Sequence, residues 1–176
     1  MCSLEPFKID LVRLCDADTV FDFSLHDDYF EAIGASEVRK GDLAVRLSVR
    51  KAGGRYFDLD FHISGTVTLP CDRCLDDMDV RIEADSRLGV RLGEEYSEDD
   101  DVVTVDESEG VIDVSWHIYE FIALNIPVKH VHKPGECNRL MIDMLEEHTA
   151  AGSGDRDDEE TIDPRWSGLE KLKNNN

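Results

Sequence analysis

The chain has 176 residues, of which 41% are hydrophobic and 34% are charged. This length suits one domain with a core of its own and leaves little room for two. The net charge of -21 argues against a broad, sequence-independent grip on nucleic acid, because such a grip requires clustered lysine and arginine. An acidic field attracts a basic partner, but solubility alone explains the charge equally well.

Targeting signals are not evident in the sequence. No segment reaches the roughly 20 apolar residues that span a bilayer, and "MCSLEPFKID" at the start lacks the basic and apolar regions of a secretion signal. We therefore expect a cytoplasmic protein without a membrane partner. In a reducing compartment, an odd number of cysteines, here five, does not predict a disulfide framework.

The first part of the chain predicts a strand, a helix and the beginning of a sheet. "FKIDLVRL" is typical of a strand, and "SLHDDYFEAIG" of a short helix that Ser24 or an early aspartate caps and Gly34 ends. Apolar and polar residues alternate from Val45 to Val49, and "AGG" at 52–54 is typical of a hairpin turn.

Two longer alternating stretches follow. The odd-numbered residues between 57 and 69 are apolar apart from Gly65, which we expect to mark a bend or bulge. The alternation resumes between residues 78 and 92. Together with the preceding stretch, these segments predict an antiparallel meander of three strands with one buried face.

The second half contains an acidic segment and two predicted helices. Residues 94–109 hold nine acids and no base, which predicts a solvated loop with a short strand at 102–105. "DVSWHIYEFIALNIP" is apolar almost all round and predicts a buried helix that packs on the sheet and ends before Pro127. "NRLMIDMLEEH" predicts a weaker amphipathic helix.

These elements predict an α+β fold, in which an antiparallel β-meander or a partly closed barrel packs against a buried helix, with short peripheral helices. Residues 1–148 would form this single domain. "AAGSGDRDDEE" has the composition of an acidic flexible linker, which we place at 149–161. A short C-terminal helix over 162–176 would begin at Asp163 and Pro164 and present Trp166.

The acidic segment 94–109 and the helix around Trp166 are expected to face a partner. A run of acids is costly to pack, and a short helix beyond a flexible linker buries little unless it docks. Docking of that helix on its own domain is an equal alternative.

The turn "LPCDRCLDD" carries Cys71 and Cys74 between two predicted strands. A thioredoxin-like redox pair requires the start of a helix, and the following Asp76 and Asp77 disfavour a thiolate. Cys2 and Cys15 have no partner at ligand spacing, so we interpret them as ordinary thiols.

A zinc site would need two further ligands, because structural zinc is four-coordinate. "PVKHVHKPGEC" offers His130, His132 and Cys137 around a predicted "KPGE" turn. We predict one structural zinc ion, bound by Cys71, Cys74, His132 and Cys137. His130 is an alternative to His132 as the histidine ligand. The alternative to a zinc site is a metal-free group of reduced thiols.

The order of four blocks resembles the YceD family, bacterial and chloroplast proteins required for accumulation of large-subunit ribosomal RNA. These blocks are "GTVTLPCDRCLDDMDV", an acidic segment, "IDVSWHIYEFIALNIPVKHVHKPGECN" and "DPRWSGLEKLK", within residues 45–173. In the family an inward glutamate, then a proline, a histidine and a cysteine follow the cysteine pair, which matches Glu120, Pro127, His132 and Cys137. The chain departs from the family in reading "ALNIPV" where "ALP" is common, and many relatives carry a longer cysteine-rich tail instead of the histidine and cysteine.

The resemblance implies a role in ribosome biogenesis. We expect a noncatalytic factor that promotes accumulation of large-subunit (23S) ribosomal RNA by binding a basic ribosomal protein or the pre-ribosomal large subunit, with any contact to rRNA indirect. No small-molecule substrate is expected, because the sequence has neither a phosphate-cradling glycine loop nor a nucleophile with a base at motif spacing. The alternatives are an RNA-processing or hydrolytic enzyme and a direct RNA-binding module.

Two further sets of residues are candidates for a structural or a binding role. Glu120 lies on an apolar helix and is expected to be a structural anchor, hydrogen-bonded to a strand backbone or an arginine. Direct RNA binding would require basic residues to gather, and five arginines on the polar faces of the meander predict a positive stripe: Arg46, Arg50, Arg81, Arg87 and Arg91. Arg81, Arg87 and Trp166 are the predicted partner-binding residues.

Overall fold

The computed structural model describes residues 3–14, 18–94, 97–99 and 102–148, with the backbone alone at 98 and 99. A 3-10 turn, Glu5–Phe7, comes first. The strands and helices that follow are β1 (Lys8–Asp10), β2 (Thr19–Leu25), α1 (Asp27–Ile33), β3 (Lys40–Gly53), β4 (Tyr56–Pro70), β5 (Asp77–Gly93), β6 (Ser97–Asp99), β7 (Val102–Asp106), β8 (Val111–Asp113), α2 (Ser115–Leu124) and α3 (Arg139–His148). The fold is α+β, as predicted.

The main sheet has six strands in the order β2-β3-β4-β5-β7-β6. All neighbouring strands are antiparallel except β5 and β7, which run parallel. The sheet is open, with β2 at one edge and β6 at the other, so the expected meander forms and the alternative of a partly closed barrel is wrong. β1 and β8 form a separate antiparallel pair.

Burial follows the alternation along β4. Its inward side chains are at most 5% exposed: Phe57, Leu59, Phe61, Ile63, Val67 and Leu69. The ring of Phe61 packs on Phe121 of α2 at a centroid distance of 5.1 Å, and Ile118 and Ile122 of the same helix are fully buried. Each such side chain stabilises the fold by about 1.5–3 kcal/mol relative to exposure, so the pairing of α2 with the sheet is a main source of stability.

Gly65 marks a close approach of two strands, and the expected bend or bulge at this position is wrong. Pairing with Leu43 of β3 continues through Gly65, and the register shift lies instead between Lys51 and Gly53. The φ angle of Gly65 is +152°, and a Cβ there would lie 2.3 Å from the carbonyl oxygen of Asp42. Glycine is required because β3 leaves no room for a side chain.

The N-terminal elements differ from the prediction in length and capping. The strand expected in "FKIDLVRL" is limited to β1, and the edge strand β2 was not predicted. Helix α1 begins after His26, whose side chain makes no capping hydrogen bond, so the caps expected from Ser24 or an aspartate are wrong. Gly34 ends the helix as predicted, with a φ angle of +72°.

The acidic segment 94–109 is not one solvated loop. It contributes β6 and β7, and the predicted strand at 102–105 is confirmed because β7 lies beside β5 in the sheet. Val103, Thr104 and Val105 are buried. The β-branched side chains of this short run suit a half-buried pleated surface, and that preference outweighs the flanking acids.

Helix α2 is buried on one face rather than all round. It follows β8, so it begins at Ser115 and not at the expected Asp113. His117, Ile118 and other inward residues are buried, whereas Trp116 is 49% exposed and Leu124 is 81% exposed. Helix α3 is amphipathic as predicted, and none of its residues is buried.

The chain divides into two compact units, Met1–Ile142 and Asp143–Asn176. The described residues of the second unit, 143–148, are helical and belong to α3. The predicted linker at 149–161 and the predicted C-terminal helix with Trp166 lie outside the described residues. Within the described ranges, no helix has the length and apolar character needed to cross a membrane.

Substitution of Gly65 by alanine is expected to destabilise the fold by about 3 kcal/mol, since the added Cβ meets the backbone of Asp42 and adopts an unfavourable φ angle. Urea unfolding of Gly65→Ala against wild type measures the change. Gly54→Ala is the matched control, because Gly54 also has a positive φ angle of +59° but no atom lies within 4 Å of its added Cβ. Equal losses in the two variants would contradict the steric explanation.

Candidate metal centre

The turn between β4 and β5 buries both cysteines of the "CDRC" motif. Cys71 and Cys74 are 0% and 1% exposed. The backbone N–H of Cys71 donates to the Asp76 carbonyl at 2.9 Å, and the N–H of Leu75 donates to the Cys71 carbonyl at 2.9 Å. These bonds close a tight turn in which Leu75 has a φ angle of +62°, the sole positive φ of a non-glycine residue in the described part of the chain.

A second loop, residues 125–138 after α2, runs against this turn. The N–H of Asp72 donates to the His130 carbonyl at 3.0 Å, and the N–H of His130 donates to the Asp72 carboxylate at 2.8 Å. The Asn138 side-chain amide donates to the Asp76 carboxylate at 3.2 Å. Acidic side chains of the cysteine turn therefore bind the second loop directly.

The predicted "KPGE" turn forms within this second loop. The N–H of Glu136 donates to the Lys133 carbonyl at 3.0 Å, and Gly135 has a φ angle of +90°. Proline followed by a glycine with positive φ is typical of a type II turn. The turn reverses the chain between His132 and Cys137, so both side chains can face the same side.

Four side chains of the two loops meet in one cluster: Cys71, Cys74, His132 and Cys137. Their ligand atoms all lie within 4.8 Å of one another, and Cys74 Sγ lies 3.3 Å from His132 Nδ1. Tetrahedral zinc with bonds of about 2.3 Å to sulfur and about 2.0 Å to nitrogen requires ligand separations of about 3.3 to 3.8 Å. The cluster can hold a metal ion, and its donor atoms fit zinc.

His130 takes a different place from His132. Its Nδ1 lies 3.1 Å from the carbonyl oxygen of Pro127, and its Nε2 lies 3.4 Å from the carboxylate of Asp72. Of the two histidines that compete by spacing, His132 is the one whose ring faces the sulfur atoms. His130 instead ties the two loops together.

The surroundings of the cluster alter the acidity of its members. Burial alone would raise the pKa of the Cys71 thiol, but hydrogen bonds from the backbone N–H groups of Cys74, Arg73 and His132 lower it to about 6. Hydrogen bonding to the Cys71 sulfur raises the pKa of His132. Burial, followed by the neighbouring thiols, raises the pKa of Cys137. The cluster thus favours a thiolate at Cys71, the form of cysteine that binds metal.

The arrangement is that of a closed site. Cys71 and Cys74 are buried, and His132 and Cys137 are half-buried. Catalytic zinc sites have three protein ligands and keep one position open for water or substrate, whereas structural sites have four. Four ligands drawn from two loops would fasten the loops together and leave no position for a substrate.

Glu120 is exposed on α2, so the inward orientation expected from the resemblance is wrong. Its carboxylate accepts a hydrogen bond of 2.8 Å from Trp116 Nε1 and lies 3.6 Å from His117 Nδ1. Both partners belong to the same helix as Glu120, and they can reach it because residues three and four positions apart lie on one helix face. The expected partner, a strand backbone or an arginine, is not what this glutamate contacts.

The arginines of the sheet do not form an uncompensated positive stripe. Arg46 pairs with Asp22 at 2.9 Å, and Arg81 with Glu83 at 3.2 Å. Ion pairs also join Arg50 and Arg87 to Asp58 and Asp60 at 3.1 to 3.5 Å. Arg91 donates to the Thr104 hydroxyl at 3.1 Å. Cross-strand carboxylates therefore neutralise most of this surface, and Trp166, the other predicted partner-binding residue, lies outside the described residues.

Sequence reasoning missed the residues that support the cluster. From the sequence, Asp76 was considered only for its effect on a thiolate, Asn138 only as part of a predicted helix, and Asp72 not at all. Polar side chains directly beside the ligands were the available indication, since outer hydrogen bonds usually orient metal-binding groups. The hydrogen-bond partners of Asp72 and Asp76 lie about sixty positions further along the chain, so the spacing of residues in the sequence does not reveal these contacts.

These observations define a class: an α+β protein with an open, mostly antiparallel sheet and a Cys3His cluster that joins a strand turn to the loop after a helix. The chain belongs to the YceD family, since a family model described as large ribosomal RNA subunit accumulation protein YceD matches residues 59–173, more than half of its length. This confirms the resemblance and implies a role in accumulation of large-subunit ribosomal RNA. Searches of curated proteins and of solved structures each found no match.

Protein purified without chelator is expected to contain about one zinc ion per chain by elemental analysis. Cys74→Ser should lose the metal and melt at a lower temperature, because structural zinc binding is worth about 10–16 kcal/mol, as much as the stability of a whole domain. Cys15→Ser, which removes a thiol outside the predicted ligand set, should retain both zinc and stability. Wild-type protein that melts no lower after metal removal would contradict a structural role.

The two histidines offer a matched pair for the ligand assignment. His132→Ala is expected to change the absorption spectrum of the cobalt-substituted protein, because a nitrogen donor leaves the coordination shell. His130→Ala should leave that spectrum unchanged, although its zinc affinity falls because the contact between the His130 ring and the Asp72 carboxylate is lost. A spectral change in His130→Ala alone would reverse the assignment.

Proposed function

We propose that this chain is a noncatalytic ribosome-biogenesis factor in the cytoplasm, which promotes accumulation of large-subunit (23S) rRNA by binding a basic ribosomal protein or the pre-ribosomal large subunit. Membership of the YceD family is the observation that supports this function. The net charge of -21 supports a basic partner, because acidic surfaces attract and steer positively charged ones.

The lack of a catalytic arrangement among the described residues supports a noncatalytic role. His62 Nδ1 lies 2.8 Å from the Asp85 carboxylate, which resembles the base and orienting acid of a hydrolytic triad. Both side chains are more than half exposed, and in the described ranges no serine or cysteine is hydrogen-bonded to that ring. A nucleophile positioned against its base is what hydrolysis would require.

Zinc at the Cys3His cluster has a structural role in this proposal. It would hold the loop after α2 against the turn between β4 and β5, so that the surface made by both loops keeps one shape. Zinc would provide the strongest link between the loops, and the hydrogen bonds of Asp72 and Asp76 would orient them.

The partner surface includes three of the residues named from the sequence. Arg81 and Arg87 are exposed on β5, and together with the carboxylates that they pair with they would offer hydrogen-bond donors and acceptors to a protein partner. Trp166 would add an apolar contact. Accumulation of large-subunit rRNA would then result from protection of a precursor particle during assembly, with no chemical step.

Cells depleted of this protein are expected to show a lower ratio of 23S to 16S rRNA, since unprotected precursors are degraded. Quantification of total RNA after depletion measures the ratio, and a tagged chain should sediment with large-subunit precursors in low-salt gradients. Re-expression of wild type should restore the ratio, whereas Cys74→Ser should not. An unchanged ratio, or a tagged chain that stays entirely at the top of the gradient, would refute the proposed function.

A further inference from the structure

We propose that Arg73, Lys133 and Arg139 form a binding site for RNA backbone phosphate beside the Cys3His cluster. The inference rests on the proposed function and extends it, because it assigns the chain a direct, local contact with ribosomal RNA. The site would be the place where the protein touches the RNA of its particle, separate from the acidic surface that holds a basic protein.

The three cations line one cleft of about 350 Å³, whose other walls include Pro134, Gly135 and Cys137. Arg73 comes from the turn between β4 and β5, Lys133 from the loop after α2, and Arg139 from the first residue of α3. The cluster geometry brings these segments together although Arg73 is distant from the other two in sequence. A cleft lined by three basic residues has the size and charge to take a phosphate group.

These cations lack acidic partners, unlike most arginines of the sheet. Arg46, Arg50 and Arg87 each pair with a carboxylate. Of the described residues, none forms an ion pair with Arg73, Lys133 or Arg139, and all three side chains are exposed. The chain has 40 acidic and 19 basic residues, so three neighbouring cations without a carboxylate partner require an explanation. We infer that their partner is an anion from outside the chain.

The cleft is lined by no carboxylate. Asp72 accepts from the backbone of His130 at 2.8 Å, and Asp76 accepts from Asn138 at 3.2 Å. Glu136 is exposed on the same loop as Lys133 but does not line the cleft. Because its lining has three basic residues and no acidic one, the cleft is a local positive region on an acidic protein, where nearby charges act more strongly than distant, screened ones.

The backbone around the cleft also suits an anion. The N–H of Leu140 donates to the Asn138 side chain at 3.1 Å, which caps the start of the ten-residue helix α3 beside Arg139. The positive end of the helix dipole adds to the charge of the side chains. A Cβ at Gly135 would meet no atom within 4 Å, so the wall of the cleft at this position is open to an approaching group.

RNA is the anion that the proposed function provides. Phosphate oxygens pair with arginine through two parallel hydrogen bonds, and lysine serves as a point charge beside them. The net charge of -21 repels RNA over the rest of the surface, so binding would be confined to this cleft and would be weak and sensitive to salt. A local contact of this kind fits a protein whose overall charge argues against a broad grip on nucleic acid.

A triple variant with Arg73→Gln, Lys133→Gln and Arg139→Gln tests the site. The probe is a set of fluorescein-labelled 23S rRNA fragments transcribed in vitro, titrated with zinc-loaded protein and followed by anisotropy. Three phosphate contacts to single-stranded RNA predict that wild-type affinity falls about 20-fold between 50 and 200 mM KCl, with a slope of about 2 in a log–log plot. The variant should lose at least about tenfold in affinity at 50 mM KCl and most of that slope.

The matched control removes three positive charges from the sheet and its β3–β4 turn, with Arg46→Gln, Arg50→Gln and Arg55→Gln. It should bind RNA as wild type does, because these arginines pair with carboxylates. The zinc content and the melting temperature of the cleft variant should match those of wild type. If they do not, the single variant Lys133→Gln replaces the triple variant in the RNA titration. Inorganic phosphate should compete with the RNA only at millimolar concentration if several RNA phosphates contribute.

The outcomes separate this inference from the proposed function. Wild type that binds no RNA fragment at 50 mM KCl, or a cleft variant with the affinity and salt slope of wild type, would overturn the phosphate site. Equal losses in the cleft and sheet variants would overturn it as well. If the cleft variant still binds purified large-subunit precursors, the proposed function stands even where the phosphate site is overturned. Wild type that binds neither the precursors nor RNA would overturn both the phosphate site and the proposed function.

Discussion

The structure depends on the register of β4, which pairs with β5 along its whole length and with β3 as far as Thr68. Its inward residues are almost fully buried, and a shift of one position would place Asp58 and Asp60 in the core. Removing two carboxylates from water without partners costs far more than the strand gains by pairing, so the register cannot change. Because the register is fixed, β4 always ends at Pro70 and places Cys71 at the same point beside the loop that follows α2.

The sequence predicted those parts of the fold whose information is local. The alternation of the three long strands is visible residue by residue, and the two ligand pairs are each close in sequence, as is the "KPGE" turn. The short strands β2, β6 and β8 were missed because they owe their existence to neighbours that lie elsewhere in the chain. The orientation of Glu120 was missed for a related reason, since an apolar helix does not reveal which face meets the sheet.

Charge was the property that sequence described least well, because its effect depends on cross-strand neighbours. The polar faces of the meander hold arginines that suggest a positive stripe, but Asp58 and Asp60 stand opposite them and neutralise it. Arg73 and Lys133 were not predicted as a site, since they stand in different loops about sixty positions apart in the sequence. They become neighbours only when the cysteine turn and the loop after α2 meet. Net charge therefore says little about where a local cation site lies.

The metal cluster and the cation cleft depend on the same two loops, and the energies show why the cluster matters for both. Ordering the loop after α2, residues 125–138, costs about 1–2 kcal/mol for each residue. The hydrogen bonds from Asp72 and Asp76 return about 0.5–3 kcal/mol each, which does not offset that cost. Zinc at the proposed site adds about 10–16 kcal/mol, a term of the size required. Cations held in place by such a link lose little further freedom when an anion binds, and this preorganisation turns three exposed side chains into a site.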